Sequence, residues 1–282
     1  MRRLPAALGI AAVAVAVVVV AVAGPASAAT NWTTTGSDHA DALTQSQGMA
    51  TIVRSGGTTL RYTGVGTIPL SVRGEGWDHV GDPDSVAGWY VEPYEHAGAT
   101  AKMYRAQAPD GTWREYVHAL GADEAYNNSF DTISPDGAWM LSGEWNTMNR
   151  LLGFATPGLN PAAVPGANLP TRFTVRLDHP VRNVQGCDFF SAQTLLCASD
   201  DAATDLFGIA KPLLQIDLAR PLDGADVTGQ VTALRPLPRS SICSGSFEVE
   251  GVDFAGGTLR VLVMSPGFCV VLDSKSWRFR QS

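Results

Sequence analysis

Charge is scarce in this chain. Only 17% of its 282 residues are charged, against roughly 25% in ordinary soluble proteins. Amphipathic helical periodicity is equally hard to find, so a coiled coil, a long helical array and a charge-driven disordered chain are all excluded. Lys and Arg number 20 against 27 Asp and Glu, giving a formal charge of −7 and a pI near 5.2. That balance argues against a nucleic-acid partner, whose phosphates call for clustered basic residues. Cysteine occurs only four times, with no C-x-x-C and no Cys–His spacing of the zinc kind. There is no G-x-S-x-G, no Walker loop and no dinucleotide glycine loop. What the chain does have is 29 Gly and 17 Pro, too many for a helical protein.

The one long apolar run lies at the start. Arg2 and Arg3 form a basic region, Ala6 to Ala23 is uncharged, Gly24-Pro25 breaks the helix, and Ala26-Ser27-Ala28 offers small residues at a cleavage site. This is the pattern of a cleaved export signal over 1–28 rather than a retained anchor. The expected product is a secreted, extracellular domain over 29–282 with no stable membrane span, its charge moved from −7 to −9 by loss of the two arginines. Export places the four cysteines in an oxidising compartment, where two disulfides are the first expectation. Of the three pairings, Cys187–Cys197 and Cys243–Cys269 are favoured because each bridges neighbouring extended segments.

Short runs of β-branched and aromatic residues recur, such as Trp89-Tyr90-Val91 and Leu259-Arg260-Val261-Leu262. Turn formers such as Pro109-Asp110-Gly111 and Ser134-Pro135-Asp136-Gly137 separate them, which predicts many short strands. Thr156 to Pro170 has four Pro and no charge and is expected to be a long inter-strand loop. A degenerate unit repeats: a first strand at Gly48, Gly81, Asp131, Gly186 and Gly251, a turn, a second strand, then two less regular strands. The steps between these positions are 33, 50, 55 and 65 residues. The reading is all-β, a β-propeller with five blades preferred over six, and a two-sheet sandwich as the rival. Few residues follow Gly251, so the stretch from Thr30 to about Gln45 is expected to supply the last outer strand and close the ring.

The polar residues at the repeated positions are the candidate site. His79-Val80-Gly81-Asp82-Pro83-Asp84 is followed by Pro93-Tyr94-Glu95, then Ser142-Gly143-Glu144-Trp145-Asn146, Gln185-Gly186-Cys187-Asp188-Phe189 and Glu248-Val249-Glu250-Gly251-Val252. Over residues 77–254 this order resembles secreted β-propeller proteins with an H-x-G-D-x-D … P-x-E signature and a later E-x-E-G. The resemblance implies an extracellular propeller and no particular activity. The inserted Gly143 departs from the pattern at Glu144.

His79, Asp82, Glu95, Glu144, Asn146, Gln185, Asp188 and Glu250 are therefore the candidate channel and pocket residues. Acidic and amide side chains converging on a dry channel would need a cation or hydrogen bonds to compensate them. Calcium suits oxygen donors such as Glu95, Asn146, Asp188 and Glu250. The competing reading has Asp82 and Asp84 capping tight turns, with Gln185 and Glu250 satisfying polar groups in the channel. His79 is a base or ligand in one reading and a backbone hydrogen-bonder in the other. Trp77 and Trp145, beside turn motifs, are the aromatic candidates for stacking on a sugar. Three functions fit: a binding module for an extracellular small molecule, glycan or protein, which is preferred; a calcium-dependent hydrolase or lyase; and a protease-resistant structural protein.

Overall fold

The computed structural model of the chain describes residues 29–98, 100–126 and 130–282. The export signal expected at 1–28 lies outside the described residues. The described chain is all-β, with one five-residue helix and two 3-10 turns.

β1 (Trp32–His39) stands apart from the strands that follow it in sequence. β2 (Gly48–Arg54) and β3 (Gly57–Thr63) form a two-stranded hairpin. The repeat predicts two more strands here, but a 3-10 turn over 65–67 and the helix α1 (Leu70–Gly74) take their place. The reason is local: few residues separate β3 from the next unit, and Pro69 among them has no N–H to give a ladder. Val72 of α1 is instead buried with Trp77, Tyr94 and Met103.

β4 (Trp77–Val80) and β5 (Asp84–Val86) both pair with β6 (Trp89–His96), which continues antiparallel into β7 (Ala101–Gln107) and β8 (Trp113–Ala119). The next two units share one eight-stranded sheet. One comprises β9 (Thr132–Ile133), β10 (Trp139–Ser142), β11 (Thr147–Ala155) and β12 (Phe173–Arg182). The other comprises β13 (Val184–Ser191), β14 (Thr194–Ser199), β15 (Pro212–Leu218) and β16 (Val227–Pro236). They join through a parallel pairing of β12 with β16, Val175 to Leu177 opposite Val227 to Gly229. The end strands β9 and β13 lie against each other, so the sheet nearly closes on itself. The last sheet runs β17 (Glu248–Ala255), β18 (Thr258–Met264), β19 (Lys275–Gln281) and back to β1, with Trp32 opposite Gln281 and His39 opposite Lys275.

The first strands pass contacts around a circuit, β2 to β5 to β9 to β13 to β17 and back to β2. The apolar side chains lie between successive units rather than in one central core. Val91 and Tyr104 meet Met140 and Leu152; Leu141 and Val175 meet Leu195 and Leu214; Leu196 and Leu213 meet Val249 and Val261. β14 is buried along its whole length, as a strand covered on both faces must be.

The disulfides pair Cys187 with Cys197 and Cys243 with Cys269. The first links directly opposed residues of β13 and β14. The loop over 156–170 holds no strand and runs along β8, where Leu169 N–H donates to the Val117 carbonyl (2.8 Å) and Ala119 N–H to the Asn168 amide oxygen (2.9 Å). It covers an edge that would otherwise offer an unpaired ladder.

Candidate functional site

Two groups of carboxylates dominate the interior, and they differ in what they face. The first lies where the first strands meet. A Cβ on Gly48, Gly186 or Gly251 would collide with Asp82, so only glycine lets three main chains close on this one side chain. Asp82 Oδ1 accepts from Met49 N–H (3.0 Å) and Oδ2 from Val252 N–H (2.9 Å). A second tier follows two residues further along three strands. Asp84 accepts from Ile133 N–H (2.6 Å), Asp188 from Phe254 N–H (2.5 Å), and Asp253 from Thr51 N–H (2.7 Å). Each bond leaves one first strand and ends on the main chain of the next. Asp84 and Asp188 also bond the N–H of the residue that follows each, Ser85 and Phe189.

Burial raises the pKa of these groups. It pushes Asp84 up to about 7 against the pull of the Ile133 and Ser85 N–H bonds. Asp82 and Asp188 are raised well above the usual range, by burial first. Asp131 is raised by burial and then by Asp84, Asp82 and Glu92, and neither of its oxygens has a hydrogen-bond partner. Carboxyls crowded in this way cannot all ionise together.

The second group lies on the sheet β4–β6–β7–β8. Glu95 stands opposite both His79 and Lys102, and Lys102 opposite His118. Opposed residues share a sheet face, so four ionisable side chains form one row. Lys102 is fully buried. Its ammonium ion-pairs with Glu124 at 2.9 Å and donates to the Gly143 carbonyl at 2.9 Å. Burial pushes its pKa down, against the upward pull of Glu124, Glu144 and Glu95.

His118 reaches the Leu169 carbonyl through Nδ1 (2.8 Å) and Glu124 through Nε2 (2.7 Å). Burial works to raise Glu124, but the bond to His118 and the Lys102 charge outweigh it and hold the carboxyl at about 2. Glu144 accepts from Ala125 N–H and takes Arg150 on both oxygens, at 2.6 and 2.8 Å. Arg150 continues to Asp123.

The expected site residues are thus divided. Glu95 and Glu144 meet around Lys102, with His79 half-buried in register beside Glu95. Asp82 and Asp188 belong to the first-strand circuit. Gln185 is half-buried near the start of β13, and Asn146 is exposed on the β10–β11 turn with φ +60°. Glu250 is buried in a third place: burial raises its pKa, Glu248 and Asp200 add to that, and Lys211 opposes it. Lys211 is itself ion-paired with Asp200, whose Oδ1 accepts from Val249 N–H at 2.7 Å.

The oxygen donors considered for calcium therefore fall in four places. Among the described residues no three His, Cys, Asp or Glu gather to hold a metal ion. Trp145 is 52% exposed, whereas Trp77 is a core residue set edge-on against His96.

Sequence reasoning missed Lys102, His118 and Glu124, which carry no repeated motif. It also missed Glu92, a buried carboxylate that accepts from Tyr94 (2.9 Å) and Tyr90 (3.2 Å) hydroxyls between Arg61 and Arg105. A lysine inside the otherwise apolar alternation Ala101-Lys102-Met103-Tyr104 was the available signal.

No protein-family model matches the chain, and no curated protein matches it. Among solved structures it is similar to a glycosyl hydrolase from Bacteroides ovatus. That likeness has 13% identity and a TM-score of 0.39, and covers 79% of this chain and 71% of the other. Among the described residues no helix is long and apolar enough to cross a membrane.

Proposed function

We propose that this chain is a secreted five-bladed β-propeller that serves as an extracellular binding module. Support for five blades comes from the circuit of five first strands, from cores lying between neighbouring units, and from the β1–β19 pairing that joins the two ends. Two disulfides accord with an oxidising compartment.

One observation carries the binding reading over catalysis. Asp131 apart, the carboxylates around the ring centre are spent on main-chain N–H groups of neighbouring strands. They hold the blades together instead of standing open as an acid–base pair or an ion cup. Against the calcium-dependent hydrolase or lyase alternative, Glu95, Asn146, Asp188 and Glu250 lie apart from one another, and no three His, Cys, Asp or Glu gather among the described residues. The face nominated for recognition is the end of the second strands, where Glu95 and Glu144 flank Lys102 and Trp145 stands exposed.

The test is calorimetric titration of residues 29–282 with a panel of extracellular glycans and small metabolites, with product analysis of the same samples. The expected outcome is saturable binding without product, weakened about tenfold by Trp145→Ala. Product that forms with the natural chain and vanishes in Glu95→Gln or Glu144→Gln would overturn the module reading in favour of an enzyme.

A further inference from the structure

A groove of about 590 Å³ lies on the outer side of the sheet, around the start of β12. Three arginines line it, Arg150, Arg172 and Arg176, against one carboxylate, Asp226. This is a cationic recess on a chain of formal charge −7. The three guanidinium groups are not equivalent. Arg150 is fully engaged, its Nε and both terminal nitrogens bonded to Glu144 and Asp123. Asp226 accepts through Oδ1 from Thr174 N–H at 2.8 Å and the Thr174 hydroxyl at 3.3 Å, and offsets part of the positive charge. Arg172 and Arg176 are exposed, and among the described residues their guanidinium groups make no hydrogen bond or ion pair.

Arg176 also stands directly opposite Arg150 in the β11–β12 ladder. Glu144 and Asp123 already compensate Arg150 in this like-charged pair, which leaves Arg176 as the member without a partner among the described residues. A guanidinium presents five N–H donors in a fork that fits carboxylate and sulfate oxygens.

The spacing says more about the ligand. Arg172 and Arg176 are four positions apart in extended chain, on one face, about 13 Å by the strand rise. One small anion cannot bridge that distance. Between them stands Thr174, which holds the Asp226 carboxylate, and the rim adds the Thr171 hydroxyl and the Asn149 amide. Anionic groups repeated at intervals, separated by hydroxyls, are the chemistry of an acidic polysaccharide.

We infer that this groove binds an extended acidic oligosaccharide through Arg172 and Arg176. Its oxyanions are carboxylate or sulfate, the chemistry both forms share. The inference goes beyond the binding-module reading: Arg172 and Arg176 lie outside the Trp145 face, although Arg150 of the groove pairs with Glu144 of that face.

The test uses residues 29–282 and four probes: an oligogalacturonate, a heparin-derived hexasaccharide, neutral cellohexaose and single-stranded DNA of matched charge. The expected outcome is saturable binding of one or both acidic glycans, with no measurable binding of cellohexaose at this groove. The preferred glycan identifies carboxylate or sulfate as the ligand group. Affinity should fall with added salt and should weaken about tenfold or more in the double variant Arg172→Gln/Arg176→Gln. The control Arg280→Gln, an exposed arginine on β19, should leave it unchanged.

Both substituted residues are exposed, so the double variant should melt with the natural chain, and its melting curve checks this. The inference is overturned if neither glycan binds, if the double variant binds as tightly as the natural chain, or if DNA binds as well as the glycans. Weakened acidic-glycan binding in the double variant with unchanged Trp145→Ala behaviour would separate this groove from the other face.

Discussion

The two buried acidic groups use the same functional group in opposite ways. Around Asp82 the carboxylates of Asp82, Asp84 and Asp188 face main-chain N–H groups, with no cation bonded to them among the described residues. Around Lys102 they face an ammonium, an imidazole and a guanidinium. The first arrangement joins different strands and leaves its acids reluctant to ionise. The second holds one sheet to the loop that follows it and keeps Glu124 ionised far into acid. Both groups tie parts of the fold together, but only the second does so through charge.

The sharpest break of the comparison is steric. Gly251→Ala places a methyl group against Asp82 and the Gly48 main chain. It should cost about 4 kcal/mol or more, seen as loss of the cooperative melting transition. A melting temperature near that of the natural chain would mean the strands do not close on Asp82 as described.

Next in size, Glu124→Ala strands the buried Lys102 charge and should cost about 3 kcal/mol by urea denaturation. Adding Lys102→Met removes the charge with its partner and should recover most of that loss. If the double variant is no more stable than the single one, charge is not what the second group contributes.

A pH series then separates the two groups without mutation. Asp84, raised to about 7, binds its proton more tightly when folded. Its contribution is greatest below about pH 4 and is lost as pH climbs through 7. Glu124 does the reverse: its contribution is present above about pH 4.5 and is lost as pH falls toward 2. Thermal stability should therefore peak in mild acid and decline toward about pH 7, levelling above it. Asp84→Asn keeps an acceptor for Ile133 N–H while removing the titration, so it should flatten the neutral-side decline. A decline just as steep in that variant would acquit Asp84.

The smallest effect sets the background. Asn146 lies in neither group, exposed with a positive φ, and Asn146→Gly should change stability by less than about 0.5 kcal/mol.

Much of this was legible in the sequence, and the reasons are specific. Gly48, Gly186 and Gly251 repeat because each faces the same crowded point, so the first strands could be found by spacing alone. The hairpin partners followed, and Cys187 and Cys197 fell opposite each other as neighbouring strands require. The missing strands after β3 were not legible, because Leu70-Ser71-Val72-Arg73 is too short to show a helical period.

The role of Asp82 was half legible. Its type announced a backbone acceptor, but its partners Met49 and Val252 lie 33 and 170 positions away. The row His79, Glu95, Lys102 and His118 exists only through strand register, which no local pattern encodes. Arg172 and Arg176 look like ordinary surface charges until Arg150 is found already taken.

The pairing of β1 with β19 also fixes an order of events. β1 is the earliest described strand to be synthesised and, if the chain is exported, the earliest to cross, yet among the described residues its ladder partner is β19, the last described strand. Until Lys275–Gln281 arrives, the main-chain donors and acceptors of β1 have no complement, and such long-range closure is slow. Removing those seven residues would strip β1 of its ladder and leave β18 as a bare edge. That seam makes the Lys275–Gln281 stretch a checkpoint on folding: nothing in the described chain before it can give β1 its ladder.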